Sequence, residues 1–197
     1  VRGRVLTAIR NVSLDIYENE SIAIVGESGC GKSVLTKTFA GMLDNNGWID
    51  EGSILYNGKD LAKYKTEKEW LTIRGREIAM VMQDPMTSLN PLKTIGAQIG
   101  EAIRLHQGLS GAALQKAVIE MLADVGIPNP EHRARQYPHE FSGGMRQRVV
   151  IAIAMACRPK VLICDEPTTA LDVTIQAQIL DLIKALKKKY NLTTVYI

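Results

Sequence analysis

Gly26-Glu27-Ser28-Gly29-Cys30-Gly31-Lys32-Ser33 is an eight-residue glycine-rich loop, and it is the segment most informative about the fold. Its spacing matches, at every required position, a loop whose glycines let backbone N–H groups wrap phosphate oxygens. The lysine of such a loop reaches the outer phosphates, and the serine hydroxyl ligates Mg²⁺. A buried strand is predicted before the loop, over Ser21–Val25, and a helix after it, over Lys32–Leu43. The loop and its context therefore predict an α/β nucleotide-binding fold.

A pair of acids lies at the end of another predicted core strand. The apolar residues Val161–Cys164 run directly into Asp165 and Glu166. Such a strand carries Asp165 to the edge of the sheet, where its carboxylate can hold Mg²⁺, and Glu166 can polarise the water that attacks a terminal phosphate. Many strands end in acids, so this pair is informative only beside the phosphate loop. Gln83 follows a third predicted strand, Glu77–Met82, and its amide can contact the same ion and water.

A second phosphate receptor is predicted at the segment Phe141-Ser142-Gly143-Gly144-Met145-Arg146-Gln147-Arg148. Its serine and glycines open Met145–Cys157, an apolar stretch that predicts a buried helix. A helix start of this kind offers unpaired N–H groups, a hydroxyl and a positive dipole end, with no bulky side chain in the way. The explanation we favour is that this receptor serves a nucleotide bound to another copy of the protein. Asp172 is interpreted as the N-cap of a later helix, a role compatible with subunit contact.

The rest of the pattern separates a β-rich first third from a helical middle. Val12–Tyr17 alternates apolar and polar residues, which predicts an antiparallel, half-exposed strand, and Ser53–Tyr56 with the turn Asn57-Gly58 predicts a hairpin. Helical spacing from Thr94 to about Gly126 predicts a helical insertion that forms a subdomain of its own. Two later elements follow: a helix with the apolar face Ile175, Ile179, Leu182 and Leu186, and a strand that begins in Leu192–Ile197.

Composition excludes several classes of function. The chain has 197 residues, of which 46% are hydrophobic and 23% charged, as in ordinary globular proteins. Its net charge of +3 is too small to argue for nucleic acid as a partner. No apolar run approaches the roughly 20 residues needed to cross a bilayer, so membrane association is expected only through a partner. The three cysteines have no paired metal-ligand spacing and are interpreted as small hydrophobic side chains.

Together and in this order, these motifs resemble the nucleotide-binding subunits of ATP-binding cassette (ABC) transporters, over essentially the whole chain. The resemblance implies an α/β P-loop NTPase core with a mixed sheet, an N-terminal antiparallel β part and an α-helical subdomain. One ABC ATPase domain is expected over residues 1–197, truncated at its C terminus. Its RecA-like core is expected at about 1–92 and 158–197, and the helical signature subdomain at about 93–157.

The resemblance also implies roles for the motif residues. Residues 26–33 correspond to Walker A, Gln83 to the Q-loop, residues 142–145 to the signature, and Asp172 to the D-loop. ATP contacts are implied for Gly26, Glu27, Ser28, Gly29, Cys30, Gly31, Lys32, Ser33, Gln83, Ser142, Gly143, Gly144 and Asp172. Catalytic roles are implied for Lys32, Gln83 and Glu166, and Mg²⁺ contacts for Ser33, Gln83 and Asp165.

Two departures from the common signature point to one branch of the family. Phe141 and Met145 stand where leucine and glutamine are usual, and with residues 83–91 they resemble the oligopeptide, dipeptide and nickel importers. ATP-powered import of peptide or nickel is therefore implied. The resemblance places this subunit on the cytoplasmic side of the cell membrane. The implied partners are a second cassette, identical or related, in an ATP-dependent dimer, integral membrane permease subunits and, indirectly, an extracytoplasmic solute-binding protein.

A further departure concerns the ends of the chain. The family places a switch histidine just after the last predicted strand, and no residue follows Ile197; no convincing adenine-stacking aromatic precedes Val5. Low ATP turnover is expected for this chain on that ground. Two alternatives stay open: an ABC-type ATPase acting on DNA or ribosomes, and a dimerising module that binds ATP without hydrolysing it. The first usually carries coiled coils, zinc modules or duplicated cassettes, none visible here; Glu166 argues against the second for the native subunit.

Overall fold

The computed structural model of the chain describes residues 6–169 and 171–197; residues 1–5 and Ala170, part of the expected domain, lie outside the described residues. The strands are β1 (Ser21–Ala23), β2 (Leu55–Tyr56), β3 (Lys59–Asp60), β4 (Ile78–Val81), β5 (Val161–Cys164) and β6 (Thr193–Tyr196). The helices are α1 (Lys32–Phe39), α2 (Glu67–Trp70), α3 (Pro85–Ser88), α4 (Ile95–Gln107), α5 (Gly111–Asp124), α6 (Pro130–Arg133), α7 (Gly143–Met155) and α8 (Val173–Tyr190). Short 3₁₀ helices occupy Leu61–Lys63 and Pro138–Glu140.

The main sheet is parallel and has the strand order β1-β6-β5-β4. Its register pairs Ser21 with Thr194, Val161 with Thr193, and Ile78 with Val161. All carboxyl ends of a parallel sheet meet at one edge, where ligands of α/β proteins bind. The phosphate loop follows β1 at this edge, and the acid pair follows β5, so the topology brings the predicted motifs together.

The strands β4, β5 and β6 are largely buried on both faces, as is usual in a parallel sheet, whereas Ser21 and Ala23 of the edge strand β1 are exposed. Leu162 and Cys164 belong to a large core cluster that extends into α4, α5, α7 and α8, whereas Ile163 between them belongs to a smaller cluster on the other side. This alternation follows the two-residue period of a strand. The smaller cluster includes Ile73 and Val195, and the β2–β3 hairpin and α2 contribute partly buried side chains to it. Among the described residues, no helix is long and apolar enough to cross a bilayer.

Several predicted elements are confirmed. Strand β5 has the predicted bounds, and α7 lies two residues nearer the N terminus than predicted. The hairpin is present, with φ of 47° at Asn57 and 77° at Gly58, the left-handed conformation that a type I′ turn needs at both central residues. Helix α1 ends at Phe39 instead of Leu43, because Gly41 turns left-handed and Arg74 donates to the carbonyl oxygen of Ala40 at the helix end.

The antiparallel strand predicted over Val12–Tyr17 is wrong. This segment has no regular secondary structure and pairs with no strand in the described part of the chain. The exposed fractions of Val12 and Tyr17 are 53% and 69%, and only Ile16 packs against the smaller cluster. Alternation indicates an extended backbone, but a strand also needs a neighbour, which a local pattern cannot supply. Across residues 6–169 and 171–197, antiparallel pairing is confined to β2–β3, so the main sheet is parallel rather than mixed.

Candidate functional site

The loop between β1 and α1 depends on glycine at defined positions. Gly31 is the N-cap of α1 with φ of 99°, and Gly29 has φ of 80°, a region that side chains disfavour. A Cβ atom on Gly31 would lie 3.2 Å from the carbonyl oxygen of Ala8. One on Gly26 would lie 2.9 Å from Sγ of Cys30, whereas one on Gly29 would meet nothing within 4 Å. The loop therefore presents an open backbone directly before the N terminus of an eight-residue helix, an arrangement suited to an anion.

Lys32 folds back across this loop. Its Nζ atom donates to the carbonyl oxygen of Gly26 at 2.9 Å and to that of Glu27 at 2.8 Å. Among the ion pairs between described residues, none involves Lys32. The ammonium group thus lies over the loop with its charge uncompensated by a carboxylate. A phosphate oxygen placed there would gain a charge-assisted hydrogen bond from it.

Ser33 and Asp165 form the second part of the site. The hydroxyl of Ser33, in the first turn of α1, donates to Oδ1 of Asp165 at 2.9 Å. Asp165 is only 6% exposed, and its backbone N–H donates to Val81 at the end of β4, so the strands fix its position. A hydroxyl and a carboxylate this close form the hard oxygen donor set that Mg²⁺ prefers. The residues present therefore fit the ion that the sequence predicts.

Glu166 lies one residue further along, in an unusual backbone conformation. Its φ is 46°, uncommon for a residue with a side chain, and its N–H donates to the carbonyl oxygen of Ile197 at 3.2 Å. The side-chain amide of Gln83 donates to Oε2 of Glu166 at 2.9 Å, and the hydroxyl of Thr169 donates to the same oxygen at 3.0 Å. Sequence reasoning brought Gln83 and Glu166 to one site but missed Thr169. The missed signal is Pro167, which predicts a turn that brings the residue three positions on back to Glu166.

The predicted second receptor begins helix α7. Ser142 is its N-cap, as expected, and its Oγ accepts from the N–H of Met145 at 3.4 Å. Asp172 is likewise confirmed as the N-cap of α8, with Oδ1 accepting from the N–H of Ile175 at 3.0 Å. A Cβ atom on Gly144 would lie 2.7 Å from Cγ2 of Ile175, so the two helix starts are in close contact. The signature segment and the segment around Asp172 therefore form one surface.

The predicted residues thus fall into two groups. Hydrogen bonds tie Ser33 to Asp165 and Gln83 to Glu166 at the carboxyl edge of the sheet. No described hydrogen bond joins the phosphate loop to Ser142, Gly143, Gly144 or Asp172. Glu27, Ser28 and Gly29 are exposed in the loop.

The cysteines are not alike. Burial raises the pKa of the Cys164 thiol to about 12 and that of Cys157 to about 11, so both stay protonated, as small hydrophobic side chains would. The same interpretation is wrong for Cys30, which is exposed in the phosphate loop. The open loop leaves this side chain without a core to enter.

Comparison with known proteins identifies the family. The profile of the ABC transporter family matches residues 9–169. This match covers most of the chain, so the protein belongs to the ABC transporter family.

The particular relatives are peptide transport proteins. The chain is 60% identical over its whole length to the oligopeptide transport ATP-binding protein AmiE of Streptococcus pneumoniae, of which it covers 56%. It is 52% identical over 99% of its length to the dipeptide transport ATP-binding protein DppD of Bacillus subtilis, and it covers 58% of that protein. The chain thus spans little more than half the length of these relatives.

Solved structures share the fold. The dimeric ATP-binding cassette MJ0796, in a post-hydrolysis state bound to ADP and phosphate, aligns with a TM-score of 0.84 at 29% identity. The alignment covers 100% of this chain and 82% of that one. The protein cbiO1 of Clostridium perfringens, part of an ABC transporter complex, aligns with a TM-score of 0.81 over 96% of this chain and 70% of that chain, again at 29% identity. The parallel sheet with its helices is therefore that of an ABC ATPase.

Proposed function

We propose that this chain binds and hydrolyses ATP as the nucleotide-binding subunit of a peptide importer. The observation that carries the proposal is the convergence of the Lys32 cradle, the Ser33–Asp165 pair and the Gln83–Glu166 pair at one edge of the sheet. The names of relatives at 50–60% identity support peptide as the cargo. They favour transport over an ATPase that acts on DNA or ribosomes.

The geometry supports a division of labour around the phosphates of ATP. The loop N–H groups and Lys32 hold the phosphate oxygens, whose charge grows in the transition state. Ser33 and Asp165 would hold Mg²⁺, which when bound supplies positive charge to the same oxygens. Glu166 takes a proton from the attacking water while the oxygen of that water bonds to the γ-phosphorus. The bond from that phosphorus to the β–γ bridging oxygen breaks, and ADP and phosphate are the products.

The surface formed by the starts of α7 and α8 serves the nucleotide of a second cassette in this proposal. Ser142 is exposed, and its hydroxyl hydrogen-bonds only within its own helix among the described residues. Two cassettes facing each other about a two-fold axis place each such surface over the phosphate loop of the partner. The dimeric state of MJ0796 supports this arrangement. ATP then holds the dimer together, and hydrolysis releases it.

The remaining assignments belong to the same proposal. Residues 1–92 and 158–197 form the ATP-binding core, and residues 93–157 form the helical part that carries the signature. The subunit sits on the cytoplasmic face of the membrane, held by permease subunits that a solute-binding protein supplies with peptide. Each permease contact transmits closure of the cassettes to the transport path.

A single substitution tests the proposed activity in the full-length protein. Glu166→Gln keeps the shape of the side chain but removes the proton acceptor, so ATP binding should persist while hydrolysis falls about a hundredfold or more. Size-exclusion chromatography should then show a dimer with ATP and a monomer with ADP. A Glu166→Gln protein that hydrolyses ATP like the wild type would overturn the proposed role of this residue.

The transport role has a separate test in cells. A strain that lacks the protein and requires one amino acid should fail to grow when that amino acid is supplied only as an oligopeptide. The wild-type gene should restore growth, and a gene with Lys32→Ala should not. Growth of the deletion strain at the normal rate would contradict peptide import while leaving ATP hydrolysis intact.

A further inference from the structure

Two hydrogen-bond donors from different elements converge on one oxygen of Glu166. Gln83 follows β4 and Thr169 precedes α8, and both donate to Oε2, at 2.9 Å and 3.0 Å. Within residues 6–169 and 171–197, no hydrogen bond to Oε1 is present. The terminal torsion of a glutamate is soft and roughly two-fold, so an unrestrained carboxylate exchanges its oxygens freely. Two donors on one oxygen remove this freedom and leave the other oxygen available.

The turn that carries Thr169 is itself held in place. Pro167 occupies its second position, which suits the fixed φ of proline, and the N–H of Thr169 donates to the carbonyl oxygen of Glu166 at 3.3 Å. The amide of Gln176, on α8, donates to the carbonyl oxygens of Thr168 and Leu171 at 3.0 Å and 3.1 Å. The Thr169 hydroxyl is therefore positioned relative to Glu166 by a closed turn and a neighbouring helix.

We propose that Thr169 is a positioning residue for ATP hydrolysis. Its hydroxyl, together with the amide of Gln83, holds Oε2 of Glu166 so that Oε1 is the atom presented to the attacking water. Thr169 touches neither water nor nucleotide in this role and acts only through Glu166. The inference rests on the proposed function, in which Glu166 accepts the proton of that water.

The chain offers matched variants to test this role. Thr169→Val keeps the branched shape and removes the hydroxyl, whereas Thr169→Ser keeps the hydroxyl and removes a methyl group. Thr168→Val makes the same change one residue earlier, where no described side-chain hydrogen bond is affected. A loss of ATP hydrolysis in Thr169→Val, but not in Thr169→Ser or Thr168→Val, identifies the hydrogen bond, rather than the turn, as the cause.

The experiment measures ATP hydrolysis by the full-length protein and its variants, together with the dissociation constant of ATP and the unfolding midpoint. Thr169→Val should lower kcat about tenfold, the effect of about 1.4 kcal/mol on a barrier, with KM and ATP affinity within about twofold of the wild type. Thr169→Ser and Thr168→Val should both keep kcat within about threefold of the wild type.

Each outcome decides the matter. An unchanged kcat in Thr169→Val, with an active wild type, overturns the inference and leaves the proposed function standing. The inference is also overturned if kcat falls equally in Thr169→Val and Thr169→Ser while ATP binds more weakly and the unfolding midpoint falls. The residue would then act through the stability of the fold. A wild-type protein without ATPase activity overturns the proposed function and this inference together.

Discussion

The phosphate loop and the start of helix α7 both offer backbone N–H groups and a serine, yet their surroundings differ. The serine of the loop, Ser33, donates to Asp165, which directly follows β5, and Lys32 lies across the loop. The serine at α7, Ser142, is exposed and hydrogen-bonds within its own helix start, where Gly144 contacts Ile175. The first region has cation, hydroxyl and carboxylate groups together, whereas the second has only backbone N–H groups and a hydroxyl.

This difference supports the proposal that one chain uses two phosphate receptors. A complete hydrolytic site needs a group that holds the phosphates, oxygen donors for a metal ion and a base for water. In the proposed function, the loop edge of the sheet supplies all three, from the ends of β1, β4 and β5 and from helix α1. The α7 surface supplies only N–H groups and a hydroxyl, so it can complete a site but cannot form one alone. We therefore expect separable effects when each region is changed.

The largest effect is expected at the phosphate loop. Lys32→Ala removes the cation from the cradle, so ATP affinity should fall about a hundredfold or more, because a charged hydrogen-bond donor to phosphate is lost. Lys37→Ala is the matched control, since Lys37 lies on the same helix α1 outside the motif. Equilibrium binding of a fluorescent ATP analogue measures both. Equal affinity in the two variants would contradict the assignment of Lys32.

A change at the α7 surface should separate binding from hydrolysis. Ser142→Arg places a long cationic side chain where the partner nucleotide must approach, so hydrolysis should fall about tenfold or more while ATP affinity stays within about twofold. Ser110→Arg is the control, because Ser110 also precedes a helix, α5, and its side chain makes no capping hydrogen bond. A large loss of ATP affinity in Ser142→Arg would place this serine at the nucleotide of its own chain.

The smallest effect concerns stability and the contact between the two helix starts. Gly144→Ala should lower the free energy of unfolding by about 1–3 kcal/mol, because the new Cβ atom would lie 2.7 Å from Cγ2 of Ile175. Gly143→Ala should change it by less than about 0.5 kcal/mol, since its nearest neighbour, Leu171, is 3.8 Å away. Denaturant unfolding measures both.

A double-mutant cycle then identifies the cause. In an Ile175→Ala background the added methyl group of Gly144→Ala has room, so Gly144→Ala should no longer lower the free energy of unfolding. A cost that persists in that background would show that Gly144 is needed for a reason other than contact with α8.

The sequence alone predicts those parts of the site whose cause is local. The phosphate loop, strand β5 and the N-caps Ser142 and Asp172 follow from spacing and residue type within about ten positions, and the structure has all of them. The hairpin turn at Asn57 is likewise set by two residues.

The parts that fail depend on contacts or backbone conformations that residue types do not specify. Val12–Tyr17 has the alternation of a strand but no described pairing partner. Helix α1 ends early, and Arg74 donates to the carbonyl oxygens of Ala40 and Gly41 just beyond it. The hydrogen bond from Thr169 to Glu166 needs the conformation of the intervening turn, with its positive φ at Glu166. A pattern of residue types does not contain these three-dimensional relations.

The proposed function requires that the two phosphate receptors of one chain belong to different nucleotides. The decisive experiment mixes the two impaired variants, Lys32→Ala and Ser142→Arg. A mixed dimer contains one site with an intact Lys32 from one chain and an intact Ser142 from the other. ATPase activity should return to about a quarter of the wild-type rate at equal concentrations, since half of the dimers are mixed and each has one intact site. No return of activity, with mixed dimers detected by differential tagging, would contradict the claim.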